Sequence, residues 1–235
     1  MSDLYTTLIF DLDNTLLNYD HCELDSMLRT CQTYGLFQDD PTAWEVFWVT
    51  YLSHNSRYWD EMSTGGGITT IFEVLYLSFR DTLNQNHQLH AGLSQTYWDN
   101  FCSTCHFEEG ALSLLDEVKD HYKLGIISNG ISDAQNKRLQ TGGVKDWFQA
   151  IIVSDEAGFR KPNKSIFDLA LKQMNAARDE VLFIGDSLIY DYEGAMNSGI
   201  DFCFYNRKKE EVPSEFNPKY IVHELRELNE LLRRL

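Results

Sequence analysis

Four aspartates follow two apolar runs of the chain and could together bind a metal ion. Asp11 and Asp13 follow the first run, and Asp186 and Asp191 follow another run far downstream. Short apolar runs bounded by turn-forming residues are typical of buried parallel strands, whose carboxyl ends meet at one edge of a sheet. Because clustered carboxylates repel one another, they favour a hard cation such as Mg²⁺ between them. The four residues therefore predict a magnesium-dependent enzyme that acts on a phosphorylated substrate.

Asp11 and Asp13 have the residue type and the spacing of a nucleophile and its acid–base partner. A carboxylate such as Asp11 can attack phosphorus and form an aspartyl-phosphate. Asp13 lies two residues further along an extended segment, so its side chain points the same way and could act as general acid and then as general base. Asp186 would complete an oxygen cage for Mg²⁺ with Asp11 and the backbone carbonyl of Asp13.

Ser128, Asn129 and Lys161 are the candidate phosphate-binding residues. Ser128 and Asn129 end an apolar run just before Gly130, and such a strand end offers a hydroxyl and backbone N–H groups to phosphate oxygens. Lys161 precedes Pro162 at a predicted helix start, where phosphate is also favoured. Its charge could neutralise phosphate and keep the nucleophile ionised. A lone Lys-Pro pair more often only begins a helix, so the prediction depends on the combination.

The elements that must position these residues alternate between strands and helices towards the two ends of the chain. Helical periodicity is present over 111–121 and 164–174, between the apolar runs, and the leucine-rich segment from Leu225 to Leu232 also predicts a helix. The runs predicted as strands are 5–10, 124–128, 150–153, 181–184 and 202–205. Such alternation predicts an α/β fold with a doubly wound, mostly parallel sheet.

The middle of the chain, residues 20–105, has no convincing strand and predicts an all-helical insertion. Asp40 and Pro41 form a good helix start, with an N-cap side chain followed by a proline in the first turn. Four aromatic residues then follow at helical spacing: Trp44, Phe47, Trp48 and Tyr51. They could form a platform for base stacking, but the spacing favours the buried face of a helix. Further helices are predicted near 22–34, 68–85 and 91–104, with a break at the glycines 65–67.

The composition limits the expected partners. A formal net charge of −16 argues against a nucleic-acid polymer or an anionic membrane, although a phosphate substrate remains compatible because local cations govern a site. No apolar stretch approaches the roughly 20 residues that span a bilayer, and no signal peptide is evident. We expect a cytoplasmic protein, a monomer or a homodimer, whose partner is a small phosphorylated metabolite.

In their order along the chain, the motifs resemble those of the haloacid dehalogenase superfamily. The four motifs are Asp11-Leu12-Asp13-Asn14-Thr15, Ser128-Asn129, Lys161-Pro162 and Gly185-Asp186-Ser187-Leu188-Ile189-Tyr190-Asp191. The resemblance extends along the whole chain and is strongest over 5–17 and 124–206. It implies a Rossmann-like core with the four motifs at strand ends.

The resemblance also implies a domain organisation and a role for each motif. The core would comprise residues 1–17 and 106–235, and an all-helical cap of residues 18–105 would be inserted after the first motif. The roles argued above would belong to Asp11, Asp13, Ser128, Lys161 and Asp186. Asp191 would assist the metal site, often through water, and ranks below the other acidic residues as a direct ligand.

The residues after the nucleophile separate the branches of this superfamily. Its dehalogenases lack an acid at the position of Asp13, whereas its phosphatases carry one because an alkoxide leaving group needs a proton. Mutases usually have Gly-Val where this chain has Asn14-Thr15. The resemblance therefore implies a phosphoric monoester hydrolase.

Several segments resemble the pyrimidine 5′-nucleotidase subfamily in particular. The segments are Ser154-Asp155-Glu156-Ala157-Gly158, Lys161-Pro162, Ile166-Phe167 and Tyr205-Asn206. Asn55 and Trp59 match within the predicted cap, but the rest of the cap matches poorly, and the cap decides which leaving group is admitted. A phosphatase for phosphoglycolate or a sugar phosphate is the alternative. A non-catalytic phosphometabolite-binding protein is a third hypothesis, although a scaffold has no need to hold like charges together.

Overall fold

A computed structural model describes residues 5–83 and 87–235 of the chain. Its contacts divide the chain into two compact units. The first unit is the chain up to Cys22 together with Cys105–Leu235, and the second is Glu23–Thr104. The division into a core and a substrate-covering cap, with boundaries at residues 17–18 and 105–106, stays a prediction, because compactness does not show what either unit covers.

The first unit contains a six-stranded sheet in which every pairing is parallel. Its strands are β1 (Thr7–Phe10), β2 (Lys123–Ser128), β3 (Ala150–Val153), β4 (Val181–Gly185), β5 (Asp201–Tyr205) and β6 (Tyr220–Val222). Their order in the sheet is β3-β2-β1-β4-β5-β6. The predicted α/β fold with a doubly wound parallel sheet is confirmed. The edge strand β6 was missing from the prediction.

The apolar runs form strands because both faces of the sheet are covered. Leu8 and Phe10 of β1 belong to one buried cluster, and Ile9 between them belongs to the cluster on the opposite face. Ile126 and Ile127 of β2 divide between the two clusters in the same way. A strand that is buried on both faces has no polar alternation and appears in the sequence as a continuous apolar run.

The described residues contain ten α-helices in addition to the sheet. They are α1 (Tyr19–Thr33), α2 (Pro41–Thr64), α3 (Ile71–Thr82), α4 (His87–Cys102), α5 (Ala111–Val118), α6 (Ser132–Thr141), α7 (Ser154–Ala157), α8 (Lys164–Met174), α9 (Glu193–Ser198) and α10 (Leu225–Leu232). The helices predicted from periodicity are all present, with ends that differ by a few residues. The predicted end of the third helix, at residues 84–85, lies outside the described residues. Helices α6, α7 and α9 were not predicted.

Helix α2 begins and ends where the sequence indicates. The Asp40 side chain accepts a hydrogen bond of 2.9 Å from the Ala43 backbone N–H, and Pro41 is the first helical residue. Gly65 ends the helix with φ +78°, a left-handed conformation that favours glycine. The predicted start of this helix at Asp40 and Pro41 and its predicted end at the glycines are therefore confirmed.

The aromatic stripe of α2 is only partly a buried face. Phe47 and Tyr51 are buried, as a helix core face requires. Trp44 and Trp48 are half-buried and stack with ring centroids 5.7 Å apart and an interplanar angle of 10°. The stripe thus runs from the core of the helical unit out to its surface. In the described part of the chain, no helix is both long and apolar enough to cross a membrane.

Candidate active site

Three neighbouring strands end in polar residues at the same edge of the sheet. Asp11 follows β1 directly, Ser128 ends β2, and Asp186 follows β4. Because β1 lies between β2 and β4, these three ends are adjacent. The Asp11 backbone N–H still donates to the Ile184 carbonyl at 2.8 Å, so the sheet fixes the position of this residue.

A cavity of about 220 Å³ opens at this edge. It is lined by Asp11, Asp13, Ser128, Asn129, Arg160, Lys161, Asp186, Ser187, Tyr190 and Asp191. All six site residues predicted from the sequence are among them, although the last of the six lies 175 positions after the first (186 − 11). The parallel sheet thus brings the four motifs to one place.

Lys161 is the cation at the centre of the site. Its side chain is 3% exposed, and its Nζ contacts a carboxylate oxygen of Asp11 and lies 2.6 Å from Oδ1 of Asp191. Burial alone would lower the pKa of Lys161, but the charges of Asp11 and Asp191 outweigh it and hold the pKa above its usual value. The lysine therefore stays charged at neutral pH.

The pKa of Asp11 lies well above its usual range because burial disfavours the carboxylate. The charge of Lys161 opposes this effect, whereas Asp191 and Asp186 add to it. Asp11 is therefore harder to ionise than a free aspartate, and Lys161 is the cation that opposes this effect. A pKa shifted by burial and by specific charged partners, in a residue that lines a cavity, is typical of functional sites.

Asp11, Asp186 and Asp191 form an acidic cluster in which one oxygen from each lies within 4.8 Å of the others. Burial and then the charge of Asp191 raise the pKa of Asp186 to about 7, against the opposing charge of Lys161. Three converging carboxylate oxygens are the hard ligands that Mg²⁺ prefers, and a divalent cation would remove their repulsion. The residues present therefore fit this ion.

Asp191 is held inside the site by the local backbone. It is 1% exposed, and its Oδ2 accepts a hydrogen bond of 3.0 Å from the Ser187 backbone N–H across a single π-helical turn, Leu188–Tyr192. A Cβ on Gly185 would lie 2.3 Å from that oxygen, so only glycine leaves room for it. Both features hold Asp191 beside Lys161 and the other two carboxylates of the acidic cluster.

The Asp13 carboxylate has different partners from the acidic cluster. Its Oδ1 accepts a hydrogen bond of 2.6 Å from Arg138, and its Oδ2 accepts one of 2.6 Å from Gln135. Asn14, the next residue, has φ +63°, a conformation that asparagine tolerates better than most residues. The chain turns there, and the side chains of Asp11 and Asp13 are held by separate sets of partners.

Arg138 and Gln135 were not among the site residues predicted from the sequence. Both lie on α6, whose buried residues include these two polar side chains beside Ala134 and Leu139. Because the buried face of α6 contains polar as well as apolar residues, the sequence shows little helical periodicity of apolar residues there.

Asn129 uses its side chain within the protein. Its Oδ1 accepts from the Lys161 backbone N–H at 2.8 Å, and its Nδ2 donates to the Lys161 carbonyl at 3.0 Å. These reciprocal bonds join the end of β2 to the segment that carries the lysine. A phosphate contact from Asn129 would use its backbone N–H or the second hydrogen of Nδ2.

A family model described as haloacid dehalogenase-like hydrolase matches residues 67–205, more than half of the chain. The chain belongs to the haloacid dehalogenase-like hydrolases. It is 31% identical over 232 residues to the pyrimidine 5′-nucleotidase YjjG of Escherichia coli K12, with 96% of each chain covered. It is 33% identical over 238 residues to a glyceraldehyde 3-phosphate phosphatase of Pyrococcus furiosus, covering 97% of this chain and 92% of the relative.

The fold has a solved counterpart in the same family of hydrolases. The crystal structure of the putative HAD-hydrolase YfnB of Bacillus subtilis, bound to magnesium, superposes with a TM-score of 0.80 and 28% sequence identity. The match covers 97% of this chain and 98% of the other. With phosphatases and nucleotidases among its relatives, this haloacid dehalogenase-like hydrolase is a phosphoric monoester hydrolase.

Proposed function

We propose that the chain hydrolyses phosphate monoesters through an aspartyl-phosphate on Asp11, with Asp13 as the acid–base partner. An Asp11 carboxylate oxygen attacks phosphorus as the bond to the ester oxygen breaks, and Asp13 gives its proton to the departing oxygen. Water then attacks the phosphorus of the acyl phosphate. Asp13 takes the proton of that water, and phosphate leaves with Asp11 restored.

The observation that carries the proposal is the environment of Asp11. It is a buried carboxylate in a cavity, paired with one cation, Lys161, at the end of the central strand. Lys161 would neutralise a phosphate oxygen and favour the ionised form of Asp11 against the effect of burial, and the Ser128 hydroxyl would donate to another phosphate oxygen. Together they bind and orient the phosphoryl group for in-line attack.

Mg²⁺ is the proposed cofactor. Asp11, Asp186 and the backbone carbonyl of Asp13 would hold it, with Asp191 close enough to take part directly or through water. The ion supplies positive charge that screens the repulsion between the carboxylates and an anionic substrate. The magnesium-bound structure of the related YfnB supports this choice of metal.

We further propose that a pyrimidine nucleoside monophosphate such as UMP, dUMP or dTMP is the substrate. The similarity to YjjG over 96% of both chains supports this class, as do the subfamily-like segments around residues 154–167. The comparable identity to a glyceraldehyde 3-phosphate phosphatase favours a small sugar phosphate as the second candidate. Both candidates need the same chemistry at Asp11 and differ only in the leaving group.

The deciding experiment is phosphate release with and without Mg²⁺ across a panel of substrates. The panel contains pyrimidine and purine nucleoside monophosphates, glyceraldehyde 3-phosphate, a hexose phosphate, phosphoglycolate and p-nitrophenyl phosphate. We expect the pyrimidine nucleotides to have the highest kcat/KM. A higher value for any sugar phosphate or for phosphoglycolate would reject the nucleotidase assignment and keep the mechanism. No release from any ester would favour a phosphometabolite-binding protein.

Substitution of Asp13 tests the acid–base role separately. Asp13→Asn should lower kcat by about a hundredfold to ten-thousandfold on alkyl phosphates, the range that proton transfer usually contributes. The loss should be much smaller on p-nitrophenyl phosphate, because p-nitrophenolate leaves without a proton. Equal losses on both esters would contradict the role as general acid.

A further inference from the structure

Arg138 and Gln135 are two polar side chains inside the first unit that the mechanism so far leaves unused. They lie one turn apart on α6, and they are 0% and 2% exposed. Buried polar groups are costly unless they are hydrogen-bonded, and a buried guanidinium needs a carboxylate partner. Each residue donates a hydrogen bond to the same partner, the carboxylate of Asp13.

Together they hold both oxygens of that carboxylate. Arg138 Nη1 donates to Asp13 Oδ1 at 2.6 Å, and Gln135 Nε2 donates to Oδ2 at 2.6 Å. Arg138 Nη1 also donates to Gln135 Oε1 at 2.9 Å, which closes a ring of three side chains. With both oxygens engaged, the carboxylate cannot rotate about its last torsion without breaking a short, charge-assisted bond.

We propose that Arg138 and Gln135 are positioning residues that fix the orientation of Asp13 for proton transfer. The inference rests on the proposed function, in which Asp13 is the acid–base group. General acid–base catalysis depends on a donor within hydrogen-bond reach of one particular oxygen of the substrate. Held from two sides, Asp13 needs no reorganisation to reach that oxygen.

Gln135 carries a second connection, to the phosphate-binding side of the site. Because Arg138 can only donate, the amide atom that faces it must be the oxygen, and Nε2 must face Asp13 and Ser128. Nε2 donates to Ser128 Oγ at 2.9 Å, so that hydroxyl accepts there and keeps its own proton for a phosphate oxygen. Gln135 thus orients the acid–base group and a phosphate donor together.

The two residues therefore predict different kinetic defects. Among the contacts described above, Arg138 reaches the site through Asp13 and Gln135, so its loss should lower kcat and leave KM nearly unchanged. Gln135 also orients Ser128, so its loss should lower kcat and raise KM. A purely structural role would instead lower activity on every ester by the same factor, through a smaller folded fraction.

The experiment compares three variants with two matched controls. Arg138→Met and Gln135→Met remove the polar groups, and Arg138→Lys keeps the charge at the same place. Lys137→Met and Gln140→Met are the controls, because both side chains are exposed on the same helix. Each protein is assayed with Mg²⁺ on the best alkyl phosphate of the panel and on p-nitrophenyl phosphate, and its folding is checked by circular dichroism and thermal melting.

We expect Arg138→Met to lose about tenfold to a hundredfold in kcat on the alkyl ester, part of what proton transfer contributes. On p-nitrophenyl phosphate the loss should be less than about threefold, because that leaving group needs no acid. Arg138→Lys should recover part of the lost rate. Equal losses on both esters in a folded variant would overturn the inference, as would rates like those of the controls.

A double substitution keeps the test decisive if Arg138→Met proves unstable. If Arg138 acts through Asp13, then adding Arg138→Lys to Asp13→Asn should change kcat on the alkyl ester by less than about twofold, whereas Gln135→Met added to Asp13→Asn should still raise KM through Ser128. Multiplicative losses would overturn the inference. Failure of the proposed function is a distinct result: the unsubstituted enzyme would then release no phosphate from any ester.

Discussion

The two units of this chain use their buried polar groups in opposite ways. In the first unit, Asp11 and Lys161 come from segments 150 residues apart and meet in an open cavity. In the second unit, the amide of Asn55 donates to Tyr51 on its own helix at 3.4 Å and to Ser78 on the next helix at 3.3 Å. The first arrangement concentrates charge at a cavity, and the second satisfies neutral groups inside a helix packing.

The difference follows from the architecture of each unit. A parallel sheet ends all its strands at one edge, so residues far apart in sequence converge where no further backbone covers them. Packed helices present side chains at spacings of three and four residues, so their polar groups find partners nearby. We therefore expect substitutions in the first unit to change catalysis and those in the second to change stability.

The largest expected effect is the loss of turnover in Asp11→Asn. Without a nucleophile, kcat should fall at least about ten-thousandfold, as in other enzymes that lose the residue forming their covalent intermediate. Circular dichroism should show an intact fold. Asp133 is an exposed carboxylate on α6, so Asp133→Asn is the control and should keep the original rate. Turnover close to the original in Asp11→Asn would remove the nucleophile assignment.

The next effect is a loss of stability in the helical unit. Phe47 is 4% exposed and lies against the rings of Phe37, Tyr51 and Phe79 at centroid distances of 4.8 to 6.5 Å. Phe47→Ala should lower the free energy of unfolding by about 3–5 kcal/mol, measured by urea denaturation. Val46→Ala, 64% exposed on the same helix, should change it by less than about 0.5 kcal/mol. Similar effects of the two substitutions would contradict a packed aromatic core.

The acidic cluster predicts that magnesium binding strengthens with pH. Burial and the charge of Asp191 raise the pKa of Asp186 to about 7, so its proton competes with the metal below neutrality. Between pH 6 and pH 8 the Mg²⁺ affinity, measured by calorimetry, should rise about tenfold. Asp186→Asn should weaken binding and remove most of that pH dependence.

Asp186 also determines whether the metal-free protein becomes more or less stable as pH rises. Because the folded pKa of Asp186 is above its unfolded value, its stabilising contribution is complete below the unfolded pKa and is lost as pH rises through about 7. The melting temperature without metal should fall over this window, and Mg²⁺ should raise it more at pH 8 than at pH 6. The opposite order would contradict a metal held by this cluster.

The smallest effect concerns the start of α2. Asp40 caps this helix through the Ala43 N–H, and Asp40→Ala should lower the free energy of unfolding by about 1 kcal/mol. The neighbouring Asp39 is exposed and is not the N-cap, so Asp39→Ala is a matched control. Equal changes would mean that charge near the helix start matters more than the cap.

The sequence predicted the strands of the first unit well because burial on both faces leaves a continuous apolar run. It failed at β6, whose three residues, Tyr220–Val222, lie at the edge of the sheet with Tyr220 and Ile221 not fully buried. It found the helices of the second unit from periodicity. It could not tell that Trp44 and Trp48 lie partly at the surface, since their spacing is the same as that of Phe47 and Tyr51.

Candidate site residues could be predicted where the residue type alone implies chemistry. Those whose role depends on contact with another site residue could not be predicted. Asp11, Asp13, Asp186 and Lys161 stand at strand ends or helix starts, and these positions can be recognised in the sequence. Arg138 lies within a polar helix, and only the three-dimensional packing shows that it faces Asp13. Residues that act only by binding a catalytic side chain are thus the hardest part of a site to predict.

The central position of β1 also sets a time order for folding during synthesis. Its partners β2 and β4 begin at Lys123 and Val181, so β1 leaves the ribosome long before either neighbour exists. At roughly 5–20 residues per second, the wait for β2 alone is on the order of ten seconds. Residues 23–104 form their own compact unit and can fold during that interval. Asp11, the proposed nucleophile, is therefore made long before its surroundings are complete, which happens only when β4 has been made.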